Sequence, residues 1–228
     1  MKKPGFYTEL SYILGILILA FGTALVTLAD FGLSMVVAPA YLIHLKLSQY
    51  WSFITFGVAE YLFQALLLII LSIILKRFKI SYLFSFVTAV LYGLALDGCI
   101  FLTRGIPAEA FWVRIVLFVV GTVLCTIGVS LFFHTYISPE AYEVFVKDFA
   151  QAKGLDIGKT KIAYDFSSCA LSIIMSFCFF GLFKFEGINV GTIVMVCVNG
   201  ALIGFFNKKL DKYFEFKDAL PLRKYFER

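Results

Sequence analysis

Apolar residues along the chain gather into six long runs, at 11–29, 53–75, 81–102, 111–134, 162–183 and 188–206, parted by short charged stretches. Each run holds roughly 19–24 residues, and at about 1.5 Å rise per residue that length crosses a ~30 Å hydrocarbon core with some tilt. The pattern predicts an all-α membrane bundle of six transmembrane helices. The opening Met1-Lys2-Lys3 resembles a signal peptide. However, the run from Ser11 to Ala29 is long for one and no small-residue cleavage site follows, so it is read as the first span.

Two shorter stretches break the pattern. Residues 30–50 carry an apolar part of about 13 residues, too short for a crossing and too hydrophobic for a solvated loop. They predict a re-entrant or interfacial helix at the outer face, with Ser34, Pro39 and Tyr41 gating or lining a path. Residues 138–161 are its counterpart on the inner side. Ser138-Pro139-Glu140 reads as a helix cap followed by proline at the first helical position, with Pro139 matching Pro39. Tyr142, Phe145, Val146, Phe149 and Ala150 then recur at three-to-four spacing until Gly154, predicting an amphipathic helix on the cytoplasmic surface or against the bundle.

The two halves also echo each other. Gly22-Thr23-Ala24-Leu25, Pro39-Ala40-Tyr41, Glu60 and Gly93 recur in order as Gly121-Thr122-Val123-Leu124, Pro139-Glu140-Ala141-Tyr142, Asp165 and Gly200. Their offsets drift smoothly from 99 to 107. With three crossings per unit, the second copy would be upside down relative to the first, as in many secondary transporters. The expected architecture is one membrane domain: repeat 1 over about 11–102, repeat 2 over about 111–206, and a basic tail at 207–228. The competing explanation is that membrane helices look alike because all draw on Gly, Ala and Leu.

Composition agrees: 61% of residues are hydrophobic and 15% charged, where soluble domains carry about 25% charged residues. With the N-terminus in the cytoplasm, 16 of the 20 Lys and Arg fall on inner segments, leaving only Lys46, Arg104, Arg114 and Lys184 outside. Both termini are then cytoplasmic. The net charge of +5 is read as a topology signal and a match to anionic lipid, so the expected partner is the bilayer and not a nucleic acid. All five cysteines lie inside apolar runs without a Cys-x-x-Cys, which argues for no metal and no cofactor. Gly154-Leu155-Asp156-Ile157-Gly158-Lys159-Thr160 is one residue short of a phosphate-binding loop and follows a helix instead of a strand; its glycines are read as the turn into the fifth span. No catalytic constellation appears, so no enzyme is expected.

Ionisable groups inside spans carry more weight, since each costs about 2.5–3.5 kcal/mol at a helix centre. Glu60 has Gln64 one turn deeper on its face, Asp97 lies in the outer part of the third span, and Asp165 has Lys161 four residues before it. These, with Asn199, are the candidate substrate or ion pathway. The opposing readings are a local Lys161–Asp165 pair, a headgroup-level Asp97 and an interhelical amide at Asn199. Gly22, Gly121 and the Gly200-x-x-x-Gly204 pair are expected to let helices approach closely, within the bundle or between copies of the chain in a homo-oligomer.

Four segments together resemble a known group. Ala29-Asp30-Phe31-Gly32-Leu33-Ser34, Tyr92-Gly93-Leu94-Ala95-Leu96-Asp97, Ile157-Gly158-Lys159-Thr160-Lys161-Ile162-Ala163-Tyr164-Asp165 and Gly187-Ile188-Asn189-Val190-Gly191-Thr192 are similar to the YczE/YitT group of small bacterial membrane proteins. The resemblance implies a bacterial cytoplasmic membrane protein linked with small-molecule export, and marks Asp97, Lys161, Asp165 and Gly191-Thr192 as motif positions. Asn189-Val190 departs from that pattern. The expected function is transport of a small molecule or ion, with proton or cation coupling. The alternatives are a non-transporting subunit of a larger complex and a membrane-embedded lipid-modifying enzyme.

Overall fold

The computed structural model describes residues 3–182, 184–221 and 223. Lys2 of the opening stretch, position 183 at the end of the fifth apolar run and positions 222 and 224–228 of the basic tail lie outside them, as do the side chains at 157 and 158. The described residues form eight helices: α1 (Thr8–Ala29), α2 (Ala38–Leu47), α3 (Phe56–Leu75), α4 (Ile80–Thr103), α5 (Phe111–Phe132), α6 (Ala141–Lys153), α7 (Ile157–Phe180) and α8 (Val190–Tyr213). Strands β1 (Gly5–Tyr7) and β2 (Glu215–Lys217) add a short parallel pair. Six of the helices, all but α2 and α6, are long and apolar enough to cross a membrane. The protein is therefore a multi-pass membrane protein, all-helical in its spans. Exposed aliphatic side chains line the outside of these helices at helical spacing, as with Leu62, Leu66, Ile69 and Ile73 on α3. That arrangement suits a lipid solvent.

Helix α1 lies at the centre, packed on α5 and α4; α3 packs on α4, and α5 on α8. Glycine sets the closest approaches. A Cβ on Gly22 would sit 2.8 Å from the carbonyl oxygen of Gly121, and one on Gly121 would sit 2.8 Å from that of Gly22. A Cβ on Gly57 would overlap the carbonyl of Gly93 outright. Gly200 and Gly204 differ from these: a Cβ at either meets nothing within 4 Å, so neither packs against the described residues.

The short helices depart from the spans. Helix α2 packs on α3 and α7, and α6 on α3, α7 and α4. Helix α6 is therefore against the bundle and not on its surface. Its N-cap is Glu140, so Ser138 does not cap it, and Pro139 precedes the helix instead of opening it. The reason is tertiary: the Ser138 carbonyl accepts a 2.9 Å hydrogen bond from Thr88 Oγ on α4, which holds this stretch extended. The predicted polar face of α6 also contracts. Asp148 is buried, taking Lys79 Nζ at 2.6 Å and Tyr82 OH at 2.8 Å, while Lys147 alone among residues 141–150 is exposed. As expected, Gly154 ends α6 in the left-handed region, at φ 65°.

The described part of the tail folds back on the N-terminal residues. Helix α8 runs on through Lys208, Lys209 and Asp211 to Tyr213, and β2 then pairs with β1, Phe6 opposite Phe216. Glu9 accepts from the backbone N–H of Ala219 and Leu220 and from Tyr136 OH. Both described ends of the chain thus lie on one face of the bundle, the terminal face below.

Candidate functional site

The candidate site grows from Glu60, in the second turn of α3 and wholly buried. Its Oε1 accepts a 2.7 Å hydrogen bond from Tyr142 OH and a 3.4 Å contact from Gln64 Nε2. Its Oε2 has no partner. Gln64, one turn on, turns its Oε1 to the N–H of Ala141 at 2.9 Å, the first residue of α6. Immediately before it stands Glu140, buried, with Oε1 unpartnered. Gln64 therefore links Glu60, through its amide nitrogen, to the residue that follows Glu140, through its amide oxygen. Among the described residues, neither Glu60 nor Glu140 has a basic side chain within ion-pair distance.

This meeting is made by α6, which starts deep and descends to the terminal face. Its first turn lies level with Gln64 and Thr88, and Asp148 two turns later reaches Lys79 at the foot of α4. Hydroxyls bind the same region together. Tyr12 OH lies 2.8 Å from Thr88 Oγ, and Tyr92 OH donates to Thr23 Oγ at 2.9 Å. Towards the terminal face, Glu143 is within electrostatic reach of Lys161, whose Nζ lies 2.9 Å from Asp165 Oδ1 and 5.6 Å from the ring centre of Tyr164.

The residues expected on a pathway divide accordingly. Glu60 and Gln64 come together, and Asp165 pairs locally with Lys161. Asp97 does something else: it accepts from Thr55 Oγ and, at 2.8 Å, from the N–H of Gly57, and so completes the N-terminal cap of α3 from the neighbouring helix. Asn199 lies on α8 with its Oδ1 buried and unpartnered, apart from the hydrogen bonds that join the Glu60 group. Glu140 and Tyr142 belong to the site, although sequence reasoning gave them no such role. The available signal was Pro139-Glu140-Ala141-Tyr142 standing where the first half has Pro39-Ala40-Tyr41, with a carboxylate added.

A second polar junction lies at the far face. Ser34 begins the turn that leads into α2, its carbonyl accepting from the N–H of Val37 and Ala38, and Pro39 is buried in the first turn of the helix. Tyr41 covers Gly187 and packs edge-on to Phe56, centroids 5.1 Å apart. The Leu33 N–H donates to Gly187, and the Gly191 N–H to Phe31. Gly32, at φ +100°, packs so closely that a Cβ would lie 2.6 Å from the Asn189 nitrogen. Asn189 itself caps α8 reciprocally with Thr192. Arg114 clamps the end of α1 through the Ala29 and Asp30 carbonyls, over the ring of Phe31. Two of the four motif segments, 29–34 and 187–192, are thus in direct contact.

Residues 6–208 match a family of unknown function, DUF6198, and the chain belongs to that family. That match does not bear on the YczE/YitT resemblance. No curated protein and no solved structure matches the chain.

Proposed function

We propose that this member of DUF6198 is a transporter of a small molecule or ion, coupled to protons or a cation, with Glu60 and Glu140 as the coupling site. The observation that carries the reading is the buried pair itself. Two carboxyl groups far from water, each with an unpartnered oxygen and no basic neighbour, are neutralised by taking up a proton or a cation. Buried acidic groups are expensive to keep unless they are used. On this reading the protein acts as a carrier.

An inverted repeat would fit the same reading. Pairing α1 with α5, α2 with α6, α3 with α7 and α4 with α8 exchanges part of the observed contacts: α2 on α3 and α7 becomes α6 on α7 and α3, and α1 on α4 becomes α5 on α8, whereas the packing of α3 on α4 has no such counterpart between α7 and α8 among the described residues. The reciprocal Gly22–Gly121 contact is what a two-fold axis through that crossing requires. Helices α2 and α6 would then be re-entrant, entering from opposite faces. Basic residues concentrate on the terminal face, which favours the cytoplasm for both termini in a bacterial cell membrane.

The test is solid-supported-membrane electrophysiology on proteoliposomes, screened with small cations and metabolites. A solute-dependent current should appear in the wild type and in Cys178→Ser, and fall at least tenfold in Glu60→Gln and Glu140→Gln. Currents of wild-type size in both glutamine variants would remove the coupling role.

A further inference from the structure

Helices α3 and α4 diverge towards the terminal face and leave a groove of about 510 Å³ between them. Its walls are apolar, from Ile69, Ile73, Leu83 and Phe86, and Lys76 and Arg77 stand at its mouth. We propose that this groove binds one anionic phospholipid, with an acyl chain between the helices and the phosphate on Lys76 and Arg77.

Three observations select that occupant. The first is charge. Lys79, the next basic residue, is consumed by Asp148, whereas Lys76 and Arg77 are exposed and no described acidic side chain pairs with them. The second is depth. From Ala65 at one end to Lys76 at the other the helix advances about 16 Å, which is the hydrocarbon thickness of one leaflet. A lipid seated with its phosphate at the mouth fills that length. The third is width. The volume spread over about 16 Å, with a water radius added on each side, leaves a channel about 9 Å across, which admits an acyl chain and is narrower than a neighbouring helix of 10–12 Å. The wall residues Ile73 and Leu83 are more than half exposed, so the groove opens sideways to the bilayer, where a chain enters without crossing protein.

Acyl chains gain little by leaving other lipid for an apolar groove, so discrimination falls on the headgroup. Each basic residue near an anionic surface contributes about fivefold, and Lys76 with Arg77 about 25-fold. Helix α6 is attached to this site, since the floor residue Tyr82 bonds Asp148.

Delipidated protein in detergent, titrated with phosphatidylglycerol or with phosphatidylcholine of identical chains, tests the proposal by native mass spectrometry. One phosphatidylglycerol should bind about 25-fold more tightly than phosphatidylcholine, and Lys76→Gln with Arg77→Gln should remove the preference. Ile73→Trp with Leu83→Trp, which fills the groove and keeps both charges, should abolish the adduct while the protein keeps its elution volume and melting temperature. Equal affinity for the two lipids, an adduct unchanged in the glutamine or the tryptophan variant, or full competition by soluble glycerol phosphate would each overturn it.

Discussion

Replacing Tyr142 with phenylalanine isolates the contact on which the candidate site turns. The substitution leaves the ring, 6.4 Å from that of Phe63, and deletes only the hydroxyl that donates to Glu60 at 2.7 Å. Glu60 would keep only the 3.4 Å contact from Gln64, and so become a wholly buried carboxyl with scarcely a donor. Leaving a buried acceptor unsatisfied costs about 1–3 kcal/mol. Intramembrane hydrogen bonds measured by double-mutant cycles average about 0.6 kcal/mol and reach about 1.7. The short length and full burial place this bond at the upper end, so we expect a coupling of about 1.5 kcal/mol. The cycle is Tyr142→Phe, Glu60→Met and their combination, followed by equilibrium unfolding in mixed micelles. Each single variant should lose stability, and the double variant should lose less than their sum, because removing both partners leaves neither orphaned. Single losses that add to within about 0.5 kcal/mol would refute the contact.

Gly57→Ala should destabilise the bundle by about 1–3 kcal/mol or more, since its methyl overlaps the Gly93 carbonyl and α3 must shift; the reading fails if the melting temperature is unchanged. Gly32→Ala combines a left-handed φ with crowding by Asn189, and should cost about 1–3 kcal/mol and raise hydrogen exchange at Gly191, whose N–H is held by Phe31. Asp218 should make the terminal strands acid-sensitive. Arg223 beside it, with help from the Thr8 hydroxyl, holds its carboxyl below the usual range. That stabilisation is present at neutral pH and is lost as pH falls below about 4. Hydrogen exchange at Phe216 and Lys217 should then rise over that window, and Asp218→Asn should flatten the response.

The spans were legible because a 20-residue apolar run has few alternatives. Their ends were less so, since hydropathy marks the membrane and not the helix. Helix α8 continues seven residues beyond Phe206 on Lys208, Lys209, Asp211 and Lys212, which are compatible with a helix in water. Helix α3 begins at Phe56, three residues inside the apolar run, because Thr55 accepts from the Val58 N–H and caps it. Glu60 and Gln64 were legible as polar groups inside a span. Glu140 was not, because Ser138-Pro139-Glu140 has the composition of a surface cap, and it is the bonds to Thr88 and Gln64 that reveal its depth. The capping contacts of Asp97 were hidden for a related reason: its partners Thr55 and Gly57 lie 42 and 40 residues away, and spacing along one helix carries no trace of them.

The pairing of Gly5–Tyr7 with Glu215–Lys217 sets an order on biosynthesis. The first strand to leave the ribosome waits for one made after α8, so this clasp closes only once the six described spans have been synthesised. Stalling before Glu215 therefore leaves Phe6 without Phe216 and Glu9 without the N–H groups of Ala219 and Leu220. Until then β1 presents an unpaired edge.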